Sequence, residues 1–406
     1  MHQTRKIQKC AALLVTAMIL LTAASLRLHA DTGSCSGQSV TLPFTDVASS
    51  NVFFCSIAEA YFSGLTNGST ASTYNPSDPV PREQMAAFIT RTQDSALKRA
   101  NRRAAMQQWW TPGDTAVLRP VSLGATPEDI SFDGQDLWVA NQQGSTVSRV
   151  RASDGRLMQT WTAAGGAIAV IAAAGKIFVA AFVSANLPGK IYSINPEAAT
   201  GGAVTEFDSD IGLGPVQITF DGVNLWTVNL GGSSITRVNV GNGVDSTFTG
   251  FNSPRDILWD GANLWVANTG ESNLKRVDPS NGTVLETITV GSAPTDLIFD
   301  GTNIWVSNHA SNPASISVVR AVGGLRGTVL ATLTGNGLAG PSGMAFDGER
   351  VLVCNFNNNS VSLFNAADLT PLSNLSTGAN SQPESAQSDG VNFWIVRKNL
   401  NDMVRF

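Results

Sequence analysis

Acidic and amide side chains recur at two fixed places in this 406-residue sequence, and they are the first candidates for binding chemistry. One set lies at the start of an apolar run and comprises Asp129, Gln217, Asp256 and Asp296. The other set ends the next apolar run and comprises Asn141, Asn229, Asn268, Asn308 and Asn355. If the elements that carry them bring both sets to one rim, they form a polar ring suited to a ligand. The alternative is that each side chain satisfies backbone N–H groups in its own turn.

General acid–base chemistry has one candidate pair. His309 follows Asn308, and Glu271 lies in the corresponding loop after Asn268, so both are expected at the same rim. The alternative is that His309 is a solvent-exposed loop residue with no chemical role. No group of Cys, His or acidic residues has the spacing of a metal site, so the residues alone predict no metal ligand and no cofactor.

A repeated decapeptide indicates which elements position these residues. The sequence FDGQDLWVAN at 132–141 returns as FDGVNLWTVN from residue 220, WDGANLWVAN from 259 and FDGTNIWVSN from 299. The Asp-Gly pair, or a substitute for it, falls at residues 133, 174, 221, 260, 300, 347 and 389. A period of about 40 residues with several short strands is typical of β-propeller blades. Within each unit the side chains alternate between two apolar faces, as in a sheet packed between two others, which excludes helical repeats.

The end of the chain predicts how the ring closes. One unit divides into an inner strand at 254–259, a second at 264–268, a third at 273–277 and an outer strand at 283–290. The last unit, from Pro383 to Phe406, stops after three strands, and an open edge would invite aggregation. Residues 115–130 align without gaps on residues 282–297, so residues 116–123 are predicted to supply the missing outer strand. We therefore predict a mainly β fold, a seven-bladed β-propeller over residues 111–406 closed three plus one.

Aromatic residues recur in the second strand of most units, at Trp138, Trp226, Trp265, Trp305 and Trp394. Phe178 and Leu352 take the same place in the other two units. We interpret this stripe as core between adjacent blades and not as a cofactor site.

The first thirty residues predict export. Arg5, Lys6 and Lys9 precede an apolar run, and Ala30 ends a sequence that a signal peptidase would cut. Polar residues interrupt the run, so we expect a cleaved signal peptide at residues 1–30 and no membrane span in the mature chain. Cleavage leaves 22 basic against 31 acidic residues, a net charge of −9, with no basic excess to suggest nucleic acid. The mature protein is expected to be secreted and to lie in the cell envelope, at the cell surface or in the periplasm.

The cysteines are consistent with an oxidising compartment. Cys35 and Cys55 lie in the same N-terminal segment and could form a disulfide. Cys354 replaces Ala140 of the decapeptide, so it is interpreted as a small buried residue.

Residues 31–110 predict a separate small helical module. Its first helix has an apolar stripe at Phe54, Ile57, Ala58, Tyr61 and Phe62. A second helix is expected to begin near Pro81. The basic stretch from Lys98 to Arg103 is interpreted as the solvated face of a further helix, with contact to an anionic polymer as the alternative.

Residues 44–92 resemble an S-layer homology module. The matching segments are Phe44-Thr45-Asp46-Val47, Gly64-Leu65-Thr66-Asn67-Gly68 and Val80-Pro81-Arg82-Glu83. The resemblance implies binding to cell-wall polysaccharide or a peptidoglycan-linked polymer, with Arg82 in the place of the family's arginine. A guanidinium fits carboxylate or phosphate groups, although Arg82 could also be a solvated residue at a helix start.

Residues 115–406 resemble secreted seven-bladed propellers of the YVTN and virginiamycin B lyase (streptogramin lyase) type. The resemblance rests on the repeat P-x-D-I/L followed by D-G-x-N-L/I-W-V-x-N. Those lyases use histidine, glutamate and a magnesium ion to open a cyclic ester. His309 is the one histidine after residue 30, so no lyase residue can be assigned.

The functional hypothesis is a secreted binding or scaffold protein. Its N-terminal module would contact cell-wall polymer, and its propeller rim would bind a small molecule or a protein. The alternative is a metal-dependent lyase or hydrolase with Mg²⁺ or Ca²⁺ at the channel mouth.

Overall fold

The computed structural model describes residues 32–35, 38–62, 66, 68–70, 72–79, 85, 120–198 and 201–406. The chain divides into two compact units, Met1–Asn101 and Arg102–Phe406. The predicted signal peptide, Arg82 and the basic stretch at 98–103 lie outside the described residues. None of the helices formed by the described residues is long and apolar enough to cross a membrane.

The described part of the N-terminal unit mixes strands with a helix. Strands β1 (Thr32–Cys35) and β2 (Gln38–Thr41) form an antiparallel hairpin, and helix α1 spans Phe54–Phe62. Cys35 and Cys55 form a disulfide with a Cα–Cα distance of 5.5 Å, which joins the hairpin to the helix. The core of the unit consists of Leu42, Phe44, Val47, Phe54, Ile57 and Ala58.

This composition corrects the expectation of a helical module. The predicted first helix is present, and its apolar stripe does face the core at Phe54, Ile57 and Ala58. The residues before it, however, form a hairpin, because Val40 and Thr41 are β-branched and pair across to β1. A small α-helical domain is therefore not supported by the described residues.

The second unit is a seven-bladed β-propeller built from four-stranded antiparallel sheets. Blade one contains β4 (Pro127–Phe132), β5 (Asp136–Asn141), β6 (Thr146–Arg151) and β7 (Arg156–Trp161). Blade two contains β8 (Ala167–Ala173), β9 (Lys176–Ala181), β10 (Lys190–Ile194) and β11 (Thr205–Asp208). Blade three contains β12 (Pro215–Phe220), β13 (Asn224–Asn229), β14 (Ser234–Asn239) and β15 (Asp245–Thr249). Blade four contains β16 (Pro254–Trp259), β17 (Leu264–Asn268), β18 (Asn273–Val277) and β19 (Val284–Thr289). Blade five contains β20 (Pro294–Phe299), β21 (Asn303–Asn308), β22 (Ser315–Arg320) and β23 (Val329–Thr334). Blade six contains β24 (Pro341–Phe346), β25 (Arg350–Asn355), β26 (Ser360–Asn365) and β27 (Pro371–Ser376).

Blade seven closes the ring as the sequence predicts. It combines β28 (Pro383–Ser388), β29 (Phe393–Arg397) and β30 (Asp402–Arg405) with β3 (Val121–Ser122) from the other end of the propeller. Val121 pairs with Met403, and the Leu123 N–H donates to the Asn401 carbonyl at 2.9 Å. The inner strand of each blade contacts that of the next, and the seventh contacts the first. The seven-bladed, three-plus-one prediction is confirmed.

The Asp-Gly hairpins explain why the decapeptide repeats. At the first of them, Asp133 Oδ1 accepts hydrogen bonds from the backbone N–H groups of Gln135 and Asp136, at 2.8 and 2.7 Å. Gly134 adopts φ = 99°, which disfavours any residue with a Cβ. An Asp-Gly turn with the glycine at positive φ reverses the chain between the first two strands of six blades, and Ala174-Gly175 takes its place in blade two.

Candidate functional site at the propeller mouth

Three positions of the repeat converge on a cavity of about 430 Å³ at one mouth of the central channel. The second residue of the inner strand contributes Glu128, Ile168, Val216, Arg255, Thr295, Ser342 and Glu384. The third residue of the same strand contributes Asp129, Gln217, Asp296, Gly343 and Ser385. The residue that follows the second strand contributes Gln142, Phe182, Leu230, His309, Phe356 and Lys398. A cavity of this volume lies within the range of small-ligand sites.

The predicted aspartates link neighbouring blades. Each accepts a hydrogen bond from a backbone N–H in the inner strand of a following blade: Asp129 from Val170 at 3.0 Å, Asp256 from Leu297 at 2.6 Å, and Asp296 from Met344 at 2.8 Å. Their carboxylates therefore have a structural role in the ring. Two of them also line the cavity, whereas Asp256 lies behind its wall with 5% of its surface exposed.

Burial raises the pKa of all three carboxyl groups. It raises the pKa of Asp129 to about 6 and that of Asp256 to about 7, although hydrogen bonds from backbone N–H groups act in the opposite direction. The pKa of Asp296 is raised well above its ordinary value by burial and then by the negative charge of Asp256. Asp129 and Asp296 are half-buried, and both line the cavity. The channel wall therefore carries less negative charge at neutral pH than its residue types suggest.

Two glutamates and a lysine form the acidic side of the mouth, in blades seven and one. The Lys398 ammonium lies 2.8 Å from a Glu128 carboxylate oxygen and 3.7 Å from one of Glu384. Burial raises the pKa of Glu128, while Lys398 opposes that rise. Because one ammonium faces two glutamate carboxylates, Lys398 does not balance the negative charge on this side.

The other sides of the mouth differ in chemistry. Blades two and three contribute the apolar side chains of Ile168, Phe182, Val216 and Leu230. Blade four contributes Arg255, whose side chain is exposed and has no hydrogen bond or ion pair with any described residue. Blades five and six contribute Thr295, Ser342, His309 and Phe356. The mouth is therefore acidic in blades seven and one, apolar in blades two and three and basic in blade four, while blades five and six add polar groups that include the buried carboxyl of Asp296.

The predicted ring of asparagines lies elsewhere. Asn141, Asn229, Asn268, Asn308 and Asn355 are fully buried and do not line the cavity. Each carboxamide bonds side chains at the start of the third strand of its own blade, as Asn355 does with Ser360 and Ser362 at 3.0 and 2.8 Å. These residues end a strand that is covered on both faces by other blades, so their side chains point into the blade. The local interpretation of the asparagines fits this structure better than ligand binding.

His309 and Glu271, the candidate acid–base pair, have different partners. His309 lines the cavity, with Nδ1 3.3 Å from the Pro341 carbonyl oxygen. Glu271 is bound within its own loop, accepting from Asn268 at 2.7 Å and pairing with Lys275 at 3.1 Å. Within the described ranges, no three His, Cys, Asp or Glu side chains are arranged to hold a metal ion. The described residues thus offer no such cluster for the magnesium ion that the lyase resemblance implies.

Sequence reasoning missed the charged and apolar residues that differentiate the mouth. Glu128 and Arg255 stand one residue before Asp129 and Asp256 of the predicted polar set, and Glu384 holds the same position in blade seven. Lys398 stands one residue after the end of a second strand. The signal was present in the repeat itself. These are positions at which the blades differ while the prolines and asparagines beside them recur.

No family model matches the sequence, and no curated protein matches it. Among solved structures, a streptogramin B lyase is similar with a TM-score of 0.59 and 19% identity, covering 71% of this chain and 96% of the other. The virginiamycin B lyase of Staphylococcus aureus gives a TM-score of 0.59 and 15% identity, covering 71% and 98%. The WD40 propeller domain of Doa1 gives 0.57 and 12%, covering 71% and 95%. At these identities the likeness shows that the chain shares the propeller fold of virginiamycin B lyase-like and WD40 proteins.

Proposed function

We propose that this chain is an exported protein of the cell envelope or cell surface that binds a ligand at its propeller mouth and contacts cell-wall polymer through its N-terminal unit. One observation carries the proposal. The cavity is lined by the positions of the repeat that differ between blades, while the residues that build the blades recur.

The contrast between these positions separates binding from architecture. Six inner strands begin with proline, and five second strands end with a buried asparagine. The residue after each proline, by contrast, is Glu, Val, Arg, Thr, Ser or Glu again in successive blades. Packing alone imposes similar residues at equivalent positions, so a wall with five residue types at six equivalent positions supports a site for an asymmetric ligand.

Contact with cell-wall polymer rests on the resemblance of residues 44–92 to an S-layer homology module. The described part supports a folded unit, because Phe44 and Val47 are fully buried. The Asp46 carboxylate accepts backbone hydrogen bonds from Tyr74 and Asn75, each with one bond of 2.9 Å or shorter. The opening Phe-Thr-Asp-Val segment is thus tied into the unit. Arg82 remains the proposed contact with anionic groups of the polymer.

A metal-dependent lyase or hydrolase is the weaker alternative. Its support is the fold shared with solved lyases. Against it stand the bonds that the Glu271 carboxylate makes with Asn268 and Lys275 of its own blade, and the absence of Glu271 from the lining of the cavity that His309 enters.

Polymer contact is tested by co-sedimentation of residues 31–406 with isolated cell-wall sacculi. Arg82→Ala should abolish pelleting, whereas Arg91→Ala, a matched loss of one positive charge outside the motif, should leave it unchanged. Equal pelleting of both variants would overturn the role of Arg82. Failure of every form to pellet would remove the wall-binding part of the proposal.

Ligand binding at the mouth is tested by thermal melting with a panel of amino acids, short peptides, sugars and nucleotides. A ligand of the cavity should raise the melting temperature of the native chain and of Leu157→Trp, a substitution on an exposed outer strand. It should not stabilise Leu230→Trp, in which the larger ring fills part of the cavity. Stabilisation of all three forms, or of none, would argue against a binding site at the mouth.

A further inference from the structure

We infer that the ligand of the mouth is a short linear peptide with apolar side chains and free termini, a proposal that rests on ligand binding at this cavity. Its ammonium end would lie at the acidic side, its apolar body across blades two and three, and its carboxylate at Arg255. The argument comes from the order of chemistry around the ring.

The acidic side has charge to spare for an ammonium group. Glu128 and Glu384 share only Lys398, and the longer of its two contacts, 3.7 Å, is to Glu384. The Glu384 side chain keeps 28% of its surface exposed, against 9% for that of Glu128. A second ammonium beside Glu384 would balance the remaining charge and could also meet the neighbouring Ser385.

The basic side has the opposite requirement. Arg255 lines the cavity, and its guanidinium contacts no carboxylate of the described residues. Its charge reaches Glu128 only over distance, where it slightly opposes the rise in the pKa of that group. A guanidinium in this state can take a carboxylate in two-pronged geometry.

An apolar surface separates the two charges. Going round the ring from blade one to blade four, the wall presents Ile168, Phe182, Val216 and Leu230. A ligand that follows the wall of blades two and three from one charged side to the other covers this apolar surface, and burial of its own apolar groups there favours binding. A peptide with apolar side chains has the required sequence of ammonium, apolar body and carboxylate.

The apolar surface continues outward on the rim. The loop after β9, residues 182–189, packs on the segment that leads into blade three: Pro188 pairs with Leu213, and the Gly214 N–H donates to the Leu187 carbonyl at 3.3 Å. Val183, Leu187 and Leu213 on this ridge are 48%, 52% and 37% exposed. An apolar peptide side chain has further surface to cover there.

The test is calorimetric titration of residues 31–406 with leucyl-leucine, its N-acetyl form and its C-terminal amide. Each capped form should bind at least about tenfold more weakly, because a hydrogen-bonded charge contributes about 1.5–3 kcal/mol. Arg255→Gln should weaken the free peptide by a similar factor but leave the amide unchanged, and Arg255→Lys should restore part of the loss. Lys176→Gln, which removes an exposed charge at the start of β9, is the control.

The outcomes separate this inference from the proposed function. Equal binding of free and capped peptides, or an equal effect of Arg255→Gln on free peptide and amide, would overturn the peptide assignment while leaving a mouth that binds ligands. If leucyl-leucine does not bind but another compound stabilises the native chain and not Leu230→Trp, the ligand class is wrong and the site is retained. If nothing binds at the mouth, both fail.

Discussion

The indole Nε1 of Trp265 donates a hydrogen bond to a carboxylate oxygen of Asp260, 2.7 Å away. The other oxygen of Asp260 accepts from two backbone N–H groups of the hairpin that it begins. One aspartate thus joins the turn to the large aromatic residue that fills the space beside the next blade. The same pair occurs at Asp133 and Trp138, Asp221 and Trp226, Asp300 and Trp305, and Asp389 and Trp394.

Loss of this hydrogen bond should destabilise the propeller even when an aromatic side chain is kept at residue 265. In Trp265→Phe the Asp260 oxygen loses a donor in a largely buried setting, and we expect a loss of about 1–3 kcal/mol in the free energy of unfolding. Urea denaturation of Trp265→Phe, Asp260→Ala and the double variant measures the coupling. Strictly additive losses would show that the hydrogen bond contributes nothing beyond packing and the turn.

The two blades that lack the pair show how far the sequence determines the fold. In blade two, Phe178 has no N–H to donate, and Ala174 has no carboxylate to receive one. In blade six, Leu352 replaces the tryptophan, and Arg350 donates instead to Asp347 at 2.9 Å. The turn aspartate and its tryptophan partner are thus lost together in blade two, and a different donor replaces the tryptophan in blade six. The other five blades keep the pair, and this regularity is why the period and the ring closure could be predicted from the sequence alone.

The site was less predictable because side-chain direction at a strand end depends on a single residue. Asn355 ends its strand and points into the blade, whereas Phe356, the next residue, points into the cavity. A shift of one residue moves a side chain to the other face of a strand. The sequence does not fix the residue at which a strand ends, so it does not fix which of two neighbouring side chains enters the cavity. The contact of Lys398 with Glu128 spans 270 residues and exists only because the ring closes.

Blade seven replaces the asparagine arrangement with an ion pair, which a swap can test. Arg397 occupies the place of Asn355, and Asp402 that of Ser360. Two guanidinium nitrogens donate to the two Asp402 oxygens at 2.7 Å, and both residues are buried. Arg397→Ala should cost about 3–5 kcal/mol, because it leaves a buried carboxylate without its cation.

The combined variant Arg397→Asn with Asp402→Ser should recover much of that loss. It removes both charges and recreates the pairing that blade six uses between Asn355 and Ser360. Thermal and urea unfolding of the single and double variants give the comparison. A double variant less stable than Arg397→Ala would mean that blade seven requires the ion pair itself.

The buried aspartates of the channel should make stability fall as pH rises. The folded pKa of Asp256 is about 7, above the value of about 3.9 for an unfolded chain, so the folded state binds more protons between these values. The contribution of this group is therefore fully present below about pH 4 and is lost as pH rises through 7. Between pH 4 and pH 7 the free energy of unfolding of Asp256→Asn should rise by roughly 2–4 kcal/mol relative to that of the native chain. Loss of one acceptor oxygen shifts the stability of the variant by the same amount at every pH and does not change this difference in slope.

Urea denaturation at several pH values between 4 and 8 measures the difference in slope. Asp278→Asn is the control, because hydrogen bonds from Ser280 lower the pKa of this exposed group and its contribution has the opposite sign. Asp129 and Asp296 stay in place in both variants and contribute in the same direction as Asp256. Parallel stability curves for the native chain and Asp256→Asn would contradict the buried, protonated state of this carboxyl group.

Lys398 should stabilise the mouth far more than a surface lysine with the same type of partner. In Lys398→Gln, Glu128, whose side chain is 9% exposed, loses its closest positive charge, and we expect a loss of about 1–3 kcal/mol at pH 8. Lys190→Gln is the matched control: its 2.6 Å pair with Glu206 is exposed on both sides, so no measurable change is expected. Burial already raises the pKa of Glu128, and removal of Lys398 raises that pKa further, so the loss should shrink in acid as Glu128 becomes neutral. The measurement is the free energy of unfolding of the native chain and of Lys398→Gln at pH 4 and at pH 8. Equal losses at both pH values would mean that Lys398 acts through packing and not through its charge.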